Sequence, residues 1–287
     1  MTIFDCTMFF NENDIYELRF HQHKHFVDQF IVIESRQTHT GLSKPLLFDH
    51  SRYSEYKHRI HYRVVDNLDE LIEQRSDLVD HRALSALGPA HNYQDFLRDQ
   101  VQFNYTRVVL QELAAQSSDI VYFSCLDEIL KSQAMTKCRE ILDIDHNAIF
   151  SFGMELYVYK INLLHKTSHQ HHAGNLAQYH LLENVLPGTL RQHAKLNMII
   201  PAAGWHFTFQ DPTDGERVLA KQRSWAHSRD INPGQNTKFS NTTKQQAVSR
   251  LFQDYAVNKV DITEHTHPAY IVSNLDKFKD YIYQEQL

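Results

Sequence analysis

Asp127 and Glu128 stand directly behind an apolar run at residues 119–124 (DIVYFS) that reads as a buried strand. Ligands of open α/β sheets bind at the carboxyl ends of strands. Two adjacent acids there can hold a hard divalent cation, and such a cation neutralises a diphosphate leaving group. The competing assignment is structural: Asp127 caps a helix expected near Ser132, or faces solvent. Histidines offer other chemistry. His21, His23 and His25 fall at i, i+2, i+4 of an expected helix, where only the first and third share a face. His169, His171 and His172 lie in an expected loop, and His265 and His267 flank Thr266. None of these groups shows three or four zinc ligands at standard spacing. Trp205-His206 belongs to an apolar strand, where a histidine is either a satisfied core residue or part of a pocket wall.

The elements that must position these residues alternate in type. A helix is expected from Asn13, with Ile15, Leu18, Phe26 and Val27 on its apolar face. Residues 30–35 (FIVIES) and 59–66 (RIHYRVVD) predict strands, separated by a loop containing Thr38-His39-Thr40-Gly41. Phe96, Leu97, Val101, Tyr105, Val108, Val109 and Leu113 predict a long helix over 93–113. A helix at 132–142 and strands at 148–154, 156–164 and 203–209 follow, with a partly helical stretch at 179–193 broken by Pro187-Gly188. Short helices are expected at 215–224, 244–255 and 275–284. The weakly apolar tracts 165–178 and 229–243 read as surface loops, the second a mobile lid. This alternation, without a repeat of fixed period, indicates a layered α/β domain.

Composition narrows the classes. The 287 residues allow one large domain or two modest ones, and 42% hydrophobic with 22% charged residues excludes pervasive disorder. Eight glycines and seven prolines argue against collagen-like or turn-dense all-β architectures. Neither a Walker pattern nor Gly-x-Gly-x-x-Gly nor Gly-x-Ser-x-Gly occurs, which disfavours P-loop, dinucleotide and α/β-hydrolase enzymes. A net charge of −6, with 20 histidines, does not favour a general polyanion-binding surface, though a local basic groove is compatible with it. Three scattered cysteines point to a reducing compartment. Acids at Asp5, Glu12 and Asp14 interrupt any signal-peptide core, and no apolar run is long enough to span a bilayer, so a cytoplasmic protein is expected. The sequons at Asn104 and Asn241 then read as chance matches.

Several short pieces, taken in order, carry a resemblance. They are Phe4 to Asn11-Glu12 (FDCTMFFNE) continuing to Glu17-Leu18-Arg19; Phe30 to Ser35 with Thr38 to Gly41; Arg98 and Gln100; Ser124-Cys125-Leu126-Asp127-Glu128-Ile129; Gly204-Trp205-His206-Phe207; Lys221 to His227; and Pro268 to Ile271. Together, from residue 4 to about 278, they resemble glycosyltransferase family 17, the family of the β-1,4-mannosyl-glycoprotein 4-β-N-acetylglucosaminyltransferases.

The resemblance implies one GT-A-like α/β domain over 1–287, a mixed central sheet flanked by helices. Residues 1–130 would form its nucleotide-binding half and 131–287 its acceptor-side half. It further implies an inverting enzyme using UDP-N-acetylglucosamine, a divalent metal (Mn²⁺ or Mg²⁺) and a hydroxyl acceptor on a glycan or glycoconjugate. Asp127 would be the main carboxylate of the family's Asp-x-Asp, with Glu128 and His227 completing the metal shell. Cys125 replaces the first acid, and a thiol is a poor ligand for hard magnesium. The membrane anchor of the animal members is not part of this sequence.

The donor would be held by Asp5, Asn11, Glu12, Arg19, Glu34, Thr38, His39, Thr40, Arg98, Trp205 and His206. Among these, Glu34 and the 38–40 loop suit uracil and ribose, Arg19 and Arg98 suit phosphate, and Trp205 offers a sugar ring its flat face. Simple ion pairs of either arginine with nearby acids are the plain alternative. Glu155, Asp211 and Asp230 are the candidates for general base. A non-catalytic nucleotide-sugar-binding protein, a nucleotidyltransferase and a transferase acting on a modified nucleic-acid base stay open at this point.

Overall fold

The computed structural model describes residues 1–167, 172–192, 197–230 and 242–284. In chain order the elements begin with β1 (Ile3–Phe9), α1 (Asn13–His23), β2 (Gln29–Ser35), β3 (Ile60–Val65), α2 (Leu68–Gln74), α3 (His81–Ala86) and α4 (Tyr93–Glu112). Next come β4 (Ile120–Cys125), β5 (Glu128–Leu130), α5 (Ser132–Leu142), β6 (Phe150–Val158), β7 (Leu163–His165), β8 (His172–Gln178), α6 (Tyr179–Asn184) and α7 (Pro187–Gln192). The chain continues through β9 (Met198–Thr208), α8 (Glu216–Ser224), α9 (Lys244–Asp254), β10 (Val257–Lys259) and α10 (Ala269–Val272).

Ten strands form one mixed sheet in the order β10-β7-β6-β8-β4-β1-β2-β3, with β9 alongside β6 and β5 alongside β9. The expected α/β class and mixed central sheet are therefore observed. β3, β2, β1 and β4 run parallel, and β8 opens the antiparallel half against β4. Parallel strands covered on both faces need near-continuous apolar runs, which β2 (QFIVIES) and β4 (IVYFSC) supply. Their side chains alternate between two cores. Phe30, Val32, Ile120 and Tyr122 face one, while Ile31, Ile33, Val121 and Phe123 face the other with α4. Asn67, Asp80 and Asn92 cap α2, α3 and α4 through their side chains, and Thr243 with Gln246 forms a capping box on α9.

Some expectations are corrected. The strands expected at 148–154 and 156–164 are instead one continuous β6 and a short β7, divided at Tyr159, whose φ is +69°. The tract 165–178 contains a buried central strand, β8. Its sequence, HAGNLAQ, hides this because Asn175 is fully buried and donates to Phe150 O at 3.2 Å and Ser151 Oγ at 2.8 Å. Residues 275–284 do not form a helix; turns and one 3-10 turn (Lys279–Tyr281) replace it. β1 was not anticipated, because Asp5 and Thr7 interrupt its apolar pattern. Residues 231–241 of the expected lid, and also His169 and His171, lie outside the described residues. Among the described residues no helix is long and apolar enough to cross a membrane.

Candidate active site

Register brings the carboxyl ends of the parallel strands level. Met8 pairs with Cys125 across β1–β4, and Phe9 with Glu34 across β1–β2. Beyond these ends lies a cavity of about 280 Å³, walled by residues such as Phe10, Ser35, His39, Asp127, Lys221 and Trp225. It takes residues from both halves of the chain. Asp127 sits in the turn between β4 and β5, and β5 pairs with β9 so that Glu128 lies opposite His206. This pairing is unusually close: a Cβ on Gly204 would stand 2.1 Å from Ile129 O, so only glycine fits there.

The turn itself is held from below by Arg19, which is fully buried. Its Nη1 donates to Cys125 O and Glu128 O at 2.8 Å each and to Leu126 O at 3.2 Å, and Nη2 donates to Ser124 Oγ at 2.9 Å. Asp5 balances that charge, accepting from Arg19 Nε at 3.0 Å and lying 2.7 Å from His23 Nδ1. His23 Nε2 in turn accepts the Leu130 amide at 2.8 Å, which leaves Nδ1 as the protonated nitrogen. Burial opposes ionisation of Asp5, but Arg19 and His23 outweigh it and hold the carboxyl at about 2.

In the cleft, Lys221 Nζ donates to Asp127 Oδ2 at 2.9 Å and lies 3.5 Å from Glu12 Oε1. His206 Nε2 lies 3.4 Å from Asp127 Oδ1. Burial raises the pKa of Asp127, but Lys221 and then His206 more than reverse this and keep it well below the usual carboxylate range. Burial likewise works against the Lys221 ammonium, which Asp127 and Glu12 keep protonated. Glu128 Oε2 accepts the Cys125 amide at 3.0 Å, and its Oε1 lies 3.3 Å from Arg191 Nη2. The Cys125 thiol is pushed up to about 12, chiefly by burial, so it is neutral at ordinary pH.

The sequence-stated candidates divide sharply. Glu12, Thr38, His39, Asp127, Glu128, His206 and His227 line the cleft. Asp5 and Arg19 do not; they are the buried pair beneath the turn. Glu34 is fully buried, and Lys44 Nζ, Tyr62 Oη and the Leu47 and Phe48 amides occupy its oxygens at 2.7–3.1 Å. Arg98 grips Asp69 at 2.9 Å and donates to His39 O at 3.1 Å, which supports the 38–41 loop from outside the cleft. Thr40 Oγ1 donates to Arg223 O, and Asn11 is half-buried beside Glu12. Trp205 is buried with its indole N–H on Thr266 O at 2.9 Å, so the expected sugar platform is a core residue.

Of the candidate bases, Asp211 is fully buried and accepts the Val218 amide at 2.9 Å, fastening the start of α8. Glu155 stands on β6, 4.0 Å from Lys131 and outside the cleft wall. Asp230 reaches the cleft through His227: its Oδ2 lies 2.6 Å from His227 Nδ1 and 2.9 Å from His91 Nδ1. Ligand atoms of these three lie within 4.8 Å of one another, a spacing compatible with a metal ion. Arg229 fixes the segment to α4, donating from Nε to Asp95 Oδ2 at 2.7 Å.

Residues 1–280 match glycosyltransferase family 17. The chain belongs to that family. No curated protein matches it closely enough to be counted. Among solved structures, 4-diphosphocytidyl-2C-methyl-D-erythritol synthase is similar at 12% identity over 74% of this chain and 95% of its own, with a TM-score of 0.43. S. aureus TarS 1-349 is similar at 9% identity over 88% and 72%, with a TM-score of 0.40. Its complex with UDP-GlcNAc gives 10% identity, the same coverage and a TM-score of 0.37. These likenesses are remote.

As a member of family 17 the protein is a glycosyltransferase, and a divalent ion is common in such sites. Among the described residues, four carboxylates, Glu12, Asp99, Asp127 and Glu128, wall the cleft against Arg191 and Lys221, while Lys44 is engaged by Glu34. An entering diphosphate would add to that negative excess unless a cation came with it. The Lys221 ammonium, between Asp127 and Glu12, is a stand-in cation marking where positive charge is held. A small divalent ion needs only one or two carboxylates beside water and phosphate oxygens, so Asp127 and Glu12 fit it. Arg191, Lys221 and Trp225 also line the cleft, beyond the residues expected from sequence. Trp225 walls the cleft, and its buried indole N–H has no hydrogen-bond partner among the described residues. The Trp-x-His spacing at 225–227, within the family-like piece 221–227, was the signal for it.

Proposed function

We propose that the protein transfers N-acetylglucosamine, with inversion, from UDP-N-acetylglucosamine to a hydroxyl of a glycan or glycoconjugate. The observation that carries this reading is Asp127 fixed at the carboxyl end of β4 between Lys221 and His206 in a family 17 chain. Thr38 and His39 face the donor's nucleoside, with His39 Nε2 steadied by Gln102 at 3.0 Å. Arg191 and Lys221 serve the diphosphate. Mn²⁺ or Mg²⁺ held by Asp127 and Glu12 supplies neutralising charge there when bound. Trp225 and Phe96 give the sugars apolar faces.

The base is His227 rather than a carboxylate. Asp230 engages its Nδ1, which leaves Nε2 to take the acceptor proton. The acceptor oxygen bonds to C1 of the sugar as the bond from C1 to the β-phosphate oxygen breaks; UDP departs and the proton rests on His227. The excess of carboxylates disfavours a polyanionic acceptor such as nucleic acid. The experiment is UDP release from UDP-N-acetylglucosamine, with the product anomer read by NMR. Release that gives the inverted linkage supports the proposal, and a retained linkage or intact donor refutes it.

A further inference from the structure

We propose that Lys221 is the divalent ion's internal competitor, and that Glu12 is the carboxylate that joins Asp127 in holding the ion. The inference rests on the reading of the cleft as an ion-assisted transferase site, but concerns which side chains hold the ion and what it must displace.

Three observations carry it. The first is position: one ammonium lies between Asp127 Oδ2 at 2.9 Å and Glu12 Oε1 at 3.5 Å. Glu12 Oε2 is turned away to the Asn11 amide at 3.1 Å, so Oε1 is the oxygen presented to the cleft. The second is chemistry. Cys125, two residues before Asp127, offers sulfur, a soft donor ill suited to a hard ion, and Glu128 is engaged by Arg191 and the Cys125 amide. Glu12, the residue just before α1, is the acid facing Asp127 across the lysine.

The third is what can move. Arg19 pins the backbone that carries Asp127. The start of α8 is locked by close packing: a Cβ on Gly215 (φ +102°) would stand 2.9 Å from Val248 Cγ2 and 3.0 Å from Lys244 O. Lys221, 22% exposed, reaches the acids on a flexible four-carbon stem. Exchange thus needs only a side-chain swing, not a movement of α8. The same ammonium cannot neutralise two carboxylates and a diphosphate together, so the lysine is no permanent substitute for the ion. Once displaced, it is available to the donor's phosphates.

The test is Mn²⁺ binding to the full chain, by calorimetry with electron paramagnetic resonance, without any sugar donor. Lys221→Met is expected to bind Mn²⁺ at least tenfold more tightly than wild type, and Lys221→Arg to stay within threefold of it. Glu12→Gln is expected to bind at least tenfold more weakly, with an unchanged melting temperature as the control for folding. Equal or weaker binding by Lys221→Met overturns the proposal, as does wild-type affinity in Glu12→Gln or no binding by any variant. Failure of sugar transfer with the expected Mn²⁺ series would remove the proposed function and leave the competition standing.

Discussion

Arg19 reaches from α1 to the carbonyl of Glu128, where its Nη1 donates a 2.8 Å hydrogen bond, while its Nε side rests on Asp5. A residue whose sequence context suggested phosphate binding thus shapes the turn that presents Asp127. Removing it leaves the buried Asp5 carboxylate with His23 alone and takes a charged donor from the carbonyls of Cys125, Leu126 and Glu128. Breaking a buried pair on one side costs about 3–5 kcal/mol. Arg19→Ala is expected to lower stability by that order in urea titrations and to reduce UDP release even where folded.

Asp5 makes stability sensitive to acid. Its folded pKa of about 2 is below the unfolded value of about 3.9, so its contribution is full above pH 4 and is lost as pH falls toward 2. The shift corresponds to roughly 2 kcal/mol. Asp5→Asn, which leaves Arg19 unpaired, is expected to be less stable at pH 7 yet to lose less stability than wild type between pH 4 and 2. Equal acid slopes in the two proteins would contradict this.

His227 as base and Asp230 as its orienting partner differ in expected effect. Loss of general-base catalysis costs about 10²–10⁴ in rate. His227→Ala should lower kcat by that factor with little change in donor KM, and Asp230→Asn by about tenfold, since the imidazole remains. A raised donor KM with unchanged kcat would instead assign His227 to binding.

Gly204→Ala tests the closeness of β5 and β9. A new methyl 2.1 Å from Ile129 O cannot be absorbed by a flexible side chain, because the atom it meets is backbone. Overpacking of this kind costs about 1–3 kcal/mol or more. The substitution is expected to lower the melting temperature and also UDP-N-acetylglucosamine turnover, through displacement of Asp127. A pure stability loss with turnover intact at low temperature would separate the two.

The parallel half of the sheet was legible because β2 and β4 are continuous apolar runs and α4 keeps helical spacing over five turns. β1 and β8 were not, since the polar residues inside them, Asp5, Thr7 and Asn175, hydrogen-bond with partners remote in sequence. At the site, Asp127 and His206 were legible from strand position. Arg19, Glu34 and Trp205 were misjudged because residue type alone does not tell a ligand-facing side chain from one satisfied inside the fold. Arg191 and Lys221 come from helices far along the chain, and only tertiary packing brings them to the strand ends.

The central claim is most directly tested by UDP release from UDP-N-acetylglucosamine by wild type and Asp127→Asn, with Mn²⁺ supplied and then chelated. The account requires release by the wild type, at least a hundredfold loss in the variant and loss on chelation. Full activity in Asp127→Asn, or wild-type turnover indifferent to chelation, would contradict it.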